Sequence, residues 1–160
     1  MKSLSLNAAA LPRLVRRSRM MLSMGFAGLA LTLGLSIGVA RADVVAVVSS
    51  KSPITALTKN QIVDIFLGKR SLFPDGTSAI PIDQVEGSAT RDAFYVRFAG
   101  MSPAQVKAFW SRIIFTGRGQ PPRSVATGVE TKNLLASNPN AIGYVEERLV
   151  DSSLRVVVLQ

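Results

Sequence analysis

The fold of this chain is organised around one stretch, Ile80-Pro-Ile-Asp-Gln-Val-Glu-Gly-Ser-Ala-Thr-Arg-Asp-Ala-Phe94. A short apolar run breaks at Gly87, and the pattern predicts a helix that begins near Ser88. The first turn of that helix leaves the backbone N–H groups of residues 88–91 without intrahelical partners, next to two hydroxyl groups. A corner of this kind can hold a small anion.

The same corner has a purely structural interpretation. A serine in front of an apolar-periodic run commonly caps the helix by accepting a hydrogen bond from an N–H two or three residues later. Arg91 would lie in the first turn, where a cation opposes the helix dipole unless a negative group lies beside it. Asp92 is a candidate for that group. The residues alone leave both the anion site and the plain cap open.

The first 42 residues differ in kind from the rest. Basic residues precede an uncharged run from Met20 to Ala40, and the segment ends in Ala40-Arg41-Ala42. A positive region, an apolar region and a small-x-small site together predict a secretory signal peptide over residues 1–42. We therefore expect cleavage after Ala42 and a single domain, residues 43–160, in the periplasm. The alternative is a retained membrane anchor, since about 20 apolar residues can span a bilayer.

The high positive charge of the chain belongs mostly to this segment. Six of the 19 basic residues and none of the 10 acidic residues lie in it, so residues 43–160 carry a net charge of +3. Nucleic-acid binding, which a strongly basic domain would suggest, loses its main support. We expect no nucleic acid among the partners.

The sequence contains no cysteine and no histidine. Disulfides, thiolate metal sites and thiol nucleophiles are therefore excluded. The lack of histidine removes the commonest general base and the commonest transition-metal ligand, which argues against hydrolytic triads and zinc chemistry. We expect no metal, no cofactor and no catalytic residues.

Hydrophobic periodicity predicts an α/β domain. Val44–Val48 is a continuous apolar run, which is typical of a strand covered on both faces in a parallel sheet. Three later strands and four capped helices complete the pattern. The strands are predicted over residues 44–48, 79–85, 141–145 and 154–159, and the helices over residues 59–67, 88–99, 103–114 and 128–136.

Particular residues add detail to this pattern. Pro81 indicates an edge strand or a strand start, because proline cannot donate to a ladder. Gly143 indicates a close approach of other atoms to the backbone of its strand. In the 88–99 helix we expect a buried stripe formed by Ala93, Phe94, Val96 and Phe98. Residues 116–124 form an irregular loop that carries two arginines.

The whole domain resembles a known family. Thr58-Lys-Asn-Gln-Ile-Val-Asp-Ile-Phe-Leu-Gly-Lys69, Glu86-Gly-Ser-Ala-Thr-Arg91 and Asn138-Pro-Asn-Ala-Ile-Gly-Tyr-Val145 occur in the order found in the phosphate-binding subunit of bacterial phosphate ABC transporters. The resemblance implies one lobe of a type II periplasmic binding-protein fold, with a mixed, mostly parallel sheet flanked by helices. The family has two such lobes that close on phosphate.

The resemblance also implies a set of ligand-binding residues. In the family, a motif of the type Arg-x-x-Gly-Ser-Gly-Thr binds phosphate at a helix start. Ser88 and Thr90 match its hydroxyl positions, Ala89 stands where glycine is usual, and Gln84 falls where the arginine is expected. Arg91 is a candidate substitute for that arginine. The candidate site is formed by Gln84, Gly87, Ser88, Ala89, Thr90 and Arg91.

Two functions follow from these observations. The first is an exported domain that binds phosphate or a similar oxyanion and serves phosphate transport or sensing, with a membrane transporter or sensor as partner. The second is a non-catalytic periplasmic interaction module that keeps the fold without high-affinity ligand binding. A homodimer is a third possibility for partners, since a second copy would rebuild a two-walled cleft.

Overall fold

The computed structural model describes residues 43–160. The predicted signal peptide, its cleavage after Ala42 and the alternative of a membrane anchor lie outside the described residues. Within residues 43–160, none of the helices combines the length and the apolar character that crossing a membrane requires.

The described domain alternates strands and helices, as the periodicity predicts. Its strands are β1 (Val44–Ser49), β2 (Ala56–Leu57), β3 (Ile80–Gln84), β4 (Arg123–Val125), β5 (Ala141–Glu146), β6 (Leu154–Val156) and β7 (Val158–Leu159). Its α-helices are α1 (Lys59–Phe66), α2 (Ala89–Phe94), α3 (Pro103–Phe115) and α4 (Gly128–Ser137). A π-helical turn, Tyr95–Ala99, continues α2, and a 3-10 turn, Glu147–Leu149, follows β5.

Five strands form the main sheet, in the order β4-β3-β5-β1-β6. The pairs β3–β4 and β3–β5 are parallel, whereas β1 is antiparallel to both β5 and β6. Four of the five strands therefore run in one direction and β1 runs in the other. Strands β2 and β7 form a separate parallel pair. A mixed, mostly parallel sheet flanked by helices is the fold that the resemblance implies, and this prediction is confirmed.

The direction of β1 corrects one expectation. Its apolar run is buried, as predicted, but both of its neighbours are antiparallel. Burial of both faces reflects the layers that cover the sheet, and it does not require parallel neighbours. As a result, the loop after β1 and the carboxyl end of β3 lie at opposite ends of the sheet. Arg155 donates to two carbonyls of that loop, those of Ser50 and Ser52, at 2.9 and 2.8 Å.

Pro81 lies at a strand start and not on an edge strand. It is the second residue of β3, which is an inner strand between β4 and β5. The ladder with β4 covers only Ile82 to Gln84, and that with β5 covers only Ile80 and Pro81. Because the two ladders are short and offset, the missing N–H of Pro81 costs the sheet few hydrogen bonds.

The π-helical turn after α2 changes which side chains are buried. Phe94 and Phe98 are buried as predicted, but Val96 is 48% exposed and Tyr95 takes a buried position instead. A π-turn has a wider repeat than an α-helix, so it shifts the residues that follow around the helix axis. The predicted burial of Val96 is therefore wrong. The helical segment ends at Gly100, which has a left-handed φ of 64°.

Apolar side chains fill both faces of the sheet. On one face the aromatic rings of Phe66, Phe94 and Tyr144 form the centre, with the Phe94 and Tyr144 ring centroids 4.0 Å apart. On the other face Leu135 of α4 packs with Val47 and other aliphatic side chains. The predicted close approach at Gly143 is confirmed, because a Cβ there would lie 2.8 Å from Thr131 Cγ2 of α4.

We expect Gly143→Ala to lower the free energy of unfolding by about 1–3 kcal/mol, because the added methyl group would force α4 away from β5. Chemical denaturation followed by circular dichroism measures this. Gly119→Ala is the control, since its Cβ would meet only Ile113 Cγ2, at an ordinary 3.5 Å. Equal stability of the two variants would contradict the packing described here.

Candidate functional site

The corner between β3 and α2 has the local geometry that the sequence predicts. Gly87 adopts a left-handed φ of 88°, and Ser88 is the N-cap of a helix that begins at Ala89. The Ser88 N–H donates to the carbonyl of Val85 at 3.2 Å. Among the described residues, the N–H groups of Ala89 and Thr90 have no acceptor. Open backbone donors therefore lie at the end of a parallel strand.

Ser88 acts as a cap. Its hydroxyl accepts from the Arg91 N–H at 3.4 Å and donates to Gln84 Oε1 at 2.7 Å. Gln84, which is 2% exposed, also donates from Nε2 to the Tyr144 carbonyl at 3.3 Å. The Ser88 hydroxyl, which a bound anion would need as a donor, is thus already hydrogen-bonded to Gln84.

Thr90 and Arg91 also have partners within the protein. The Thr90 hydroxyl donates to Glu146 Oε1 at 3.3 Å. Arg91 Nε donates to Asp83 Oδ2 at 3.2 Å, and the Arg91 residue is only 8% exposed. The sequence pointed to Asp92 as the negative neighbour of Arg91, and this expectation is wrong. The guanidinium turns towards the sheet and pairs with the carboxylate at the end of β3.

Asp83 is a structurally important residue of the site that the sequence analysis missed. Its Oδ1 accepts from the backbone N–H of Gln84 at 2.8 Å and from the Tyr144 hydroxyl. Its Oδ2 accepts from Arg91 Nε and, at 2.9 Å, from the Tyr95 hydroxyl. Both oxygens of this 3% exposed carboxylate are therefore satisfied. The available signal was an ionisable residue directly after the apolar start of a strand, next to the proposed site.

Burial and charge perturb the groups around Asp83. Burial, followed by the negative charge of Asp83, raises the pKa of both Tyr95 and Tyr144 well above the ordinary value. Burial lowers the pKa of Arg91, but the charge and hydrogen bond of Asp83 together with Tyr95 and Tyr144 outweigh burial, so that the pKa of Arg91 lies above its ordinary value. Arg91 therefore stays charged and both phenols stay neutral at physiological pH.

A cleft of about 280 Å³ lies beside the corner, between the end of β3, one face of α3 and residues 121–124. Gln84 and Arg91 line it, whereas the other predicted site residues, 87–90, do not. Glu86 and Lys107 line it as well and form an exposed ion pair at 2.8 Å, which lowers the pKa of Glu86. The six predicted residues therefore divide between an exposed corner and a neighbouring cleft.

Trp110 of α3 also lines this cleft. It is 6% exposed, and its indole N–H lies near the Tyr95 hydroxyl without a hydrogen bond of normal geometry. In the described part of the chain, carboxylate groups do not gather in a cluster that could hold a metal ion. The chemistry available here is hydrogen bonding and ion pairing to a small polar ligand.

We expect Asp83→Asn to lower the free energy of unfolding by about 3 kcal/mol, because it leaves the buried Arg91 guanidinium without a counter-ion. Urea denaturation provides the measurement. Glu86→Gln breaks an ion pair whose side chains are 62% and 65% exposed, and it should change stability far less. Similar losses in the two variants would contradict the structural role assigned to Asp83.

The raised pKa values predict an alkaline transition. Tyr95 and Tyr144 are the only tyrosines of the chain. Below about pH 10 the two phenols are protonated in both the folded and the unfolded chain, so they should not change the free energy of unfolding with pH. Above that pH only the unfolded chain ionises, so stability should fall by up to about 1.4 kcal/mol per pH unit for each tyrosine. Phenolate absorbance should then rise only together with unfolding, and a reversible titration near pH 10 in the folded protein would contradict this.

No family model and no curated protein sequence matches this chain. Its fold, however, matches solved structures. One is a Clostridium perfringens protein described as a phosphate ABC transporter substrate-binding protein, solved with phosphate bound. That protein is 25% identical, with a TM-score of 0.55, over 71% of this chain and 43% of that chain.

Two further solved structures show the same fold at lower identity. An ABC-type phosphate transport receptor from Vibrio cholerae is 20% identical, with a TM-score of 0.56, over 71% of this chain and 44% of its own. PstS from Borrelia burgdorferi is 12% identical, with a TM-score of 0.55, over 73% of this chain and 47% of its own. This chain spans less than half the length of each protein. The resemblance inferred from the sequence is thus confirmed, and the chain is a half-length structural relative of phosphate ABC transporter substrate-binding proteins.

Proposed function

We propose that this chain is an exported solute-binding domain that holds phosphate or a similar oxyanion at the β3–α2 corner and serves phosphate transport or sensing. The expected location is the periplasm, and the expected partner is a membrane transporter or sensor. The bound phosphate in the Clostridium perfringens relative supports the choice of ligand. The role is binding and not catalysis.

The observation that carries this proposal is the pair of open backbone donors at Ala89 and Thr90. They lie at the start of a helical segment that follows the end of parallel strand β3. Backbone N–H groups at such a position favour a negative ligand, and open α/β sheets commonly bind ligands beyond the carboxyl ends of their strands. The net charge of +3 over residues 43–160 adds a weak attraction for anions.

The side chains of the corner limit the affinity. Ser88, Thr90 and Arg91 already bind Gln84, Glu146 and Asp83. An anion must replace the first two of these hydrogen bonds to recruit the hydroxyl groups, so only part of each new bond adds to the binding free energy. A ligand held by the β3–α2 corner alone would also stay partly hydrated. We therefore expect weaker binding than in a site enclosed by two lobes.

A second candidate function is a non-catalytic interaction module. It is favoured by the surface at the end of α3, where Phe115 is 93% exposed. Arg112, Arg118 and Arg123 have no salt bridge among the described residues. An exposed aromatic with free arginines suits a protein partner. Recovery of the same envelope protein with and without phosphate would favour this function, and sedimentation would detect a homodimer.

We expect Ser88→Ala to weaken phosphate binding about tenfold, which corresponds to about 1.4 kcal/mol for one hydrogen bond to a charged group. Calorimetry of residues 43–160 with phosphate and sulfate at low salt is the measurement. Ser102→Ala is the matched control, because Ser102 also accepts from the N–H three residues later but caps α3, outside the β3–α2 corner. Both variants should lose a helix cap, whereas only Ser88→Ala should lose affinity.

Two results would count against the proposal. The first is the absence of heat when the wild-type domain is titrated with millimolar phosphate. The second is an equal affinity for phosphate in the wild type, Ser88→Ala and Ser102→Ala.

A further inference from the structure

We infer that the cleft beside the corner binds an organic oxyanion, an acidic head group that carries a short apolar body, in preference to an inorganic anion. This inference rests on the proposed function, since it assigns a ligand class to the same end of β3. It depends on three features of the cleft: its anchor, its wall and its charge.

The anchor is Arg91. Its Nε is held by Asp83 and its guanidinium carbon lies 5.0 Å from the centre of the Tyr95 ring, which together fix the orientation of the group. Among the described residues, Nη1 and Nη2 have no hydrogen-bond partner, and neither is a fully buried atom. Arg91 lines the cleft, and its side chain is 10% exposed. A guanidinium with two free nitrogens matches a phosphonate or carboxylate group.

The wall is the apolar part of the cleft lining. Trp110 and Ile114 of α3 and the rings of Pro121 and Pro122 line the cleft. Inorganic phosphate has no surface that gains from contact with these groups. An alkyl group does, because each buried methylene contributes about 0.8 kcal/mol, which corresponds to about fourfold in affinity.

The volume and the charge of the cleft also indicate an organic oxyanion as the ligand. At about 280 Å³ the cleft lies near the lower limit of ordinary small-molecule sites, and an inorganic anion would leave most of it to water. Its charged lining residues are two acids, Asp83 and Glu86, and two bases, Arg91 and Lys107. These charges balance, so the lining does not favour a compact dianion. The apolar part of the ligand therefore has to supply the remaining affinity.

The test is a series of alkylphosphonates from methyl to pentyl, compared with inorganic phosphate, on residues 43–160. Trp110 is the only tryptophan of the chain and lines the cleft, so its fluorescence reports binding at this place. We expect the affinity to rise two- to fourfold with each methylene. Ile114→Ser should remove most of this rise. Phe115→Ser, a change at the neighbouring 93% exposed residue that does not line the cleft, should leave it intact.

The outcomes separate this inference from the proposed function. Phosphate binding with no gain along the series overturns the inference and leaves the phosphate function standing. A rising series without phosphate binding supports the inference and overturns the phosphate function. No binding of any of these anions overturns both. An equal effect of Ile114→Ser and Phe115→Ser would also overturn the inference, because it would place the alkyl chain outside the cleft.

Discussion

One buried carboxylate, that of Asp83, joins the elements that form the corner. It lies at the end of β3 and accepts hydrogen bonds from Arg91 of α2, Tyr95 of the π-helical turn and Tyr144 of β5. A carboxylate removed from water costs several kcal/mol unless charged and hydrogen-bonding partners compensate it. The position of α2 on the sheet therefore depends on these three partners remaining in place.

This constraint has two effects on ligand binding. It uses the Nε of Arg91 and neutralises much of the positive charge that an anion would otherwise meet. It also holds the guanidinium still, so that a ligand in the cleft would meet it without the entropic cost of ordering a flexible side chain. For the anion binding that we propose, the corner is consequently a weak but preorganised site. Its backbone donors at Ala89 and Thr90 are independent of this ion pair.

The length of the chain bears on the same question. The solved proteins that share its fold are more than twice as long as the region they share with it. A ligand on one wall keeps part of its hydration, and its ionic contacts act in a more polar medium than in an enclosed site. Partial exposure to water weakens an ion pair more than it weakens the contact of an alkyl group with an apolar surface. The Trp110 and Ile114 side of the cleft therefore gains importance for a ligand that residues 43–160 hold by themselves.

Local patterns in the sequence were sufficient for the four α-helices and for strands β1, β3 and β5, because caps and hydrophobic periodicity involve residues only a few positions apart. The helix start at Ser88, the capping box at Ser102 and the close packing at Gly143 are examples. The local patterns did not predict β2 or β4, nor the division of the predicted strand 154–159 into β6 and β7. The direction of β1 and the turn of Arg91 towards Asp83 depended on the folded chain. The Asp83–Tyr144 contact, 61 residues apart, and the exposed Val96 did so as well. The direction of β1 and the Asp83–Tyr144 contact arise between distant segments, and no short stretch of sequence records which segments will meet. The position of Arg91 and the exposure of Val96 depend on how α2 and its π-helical turn pack on the sheet.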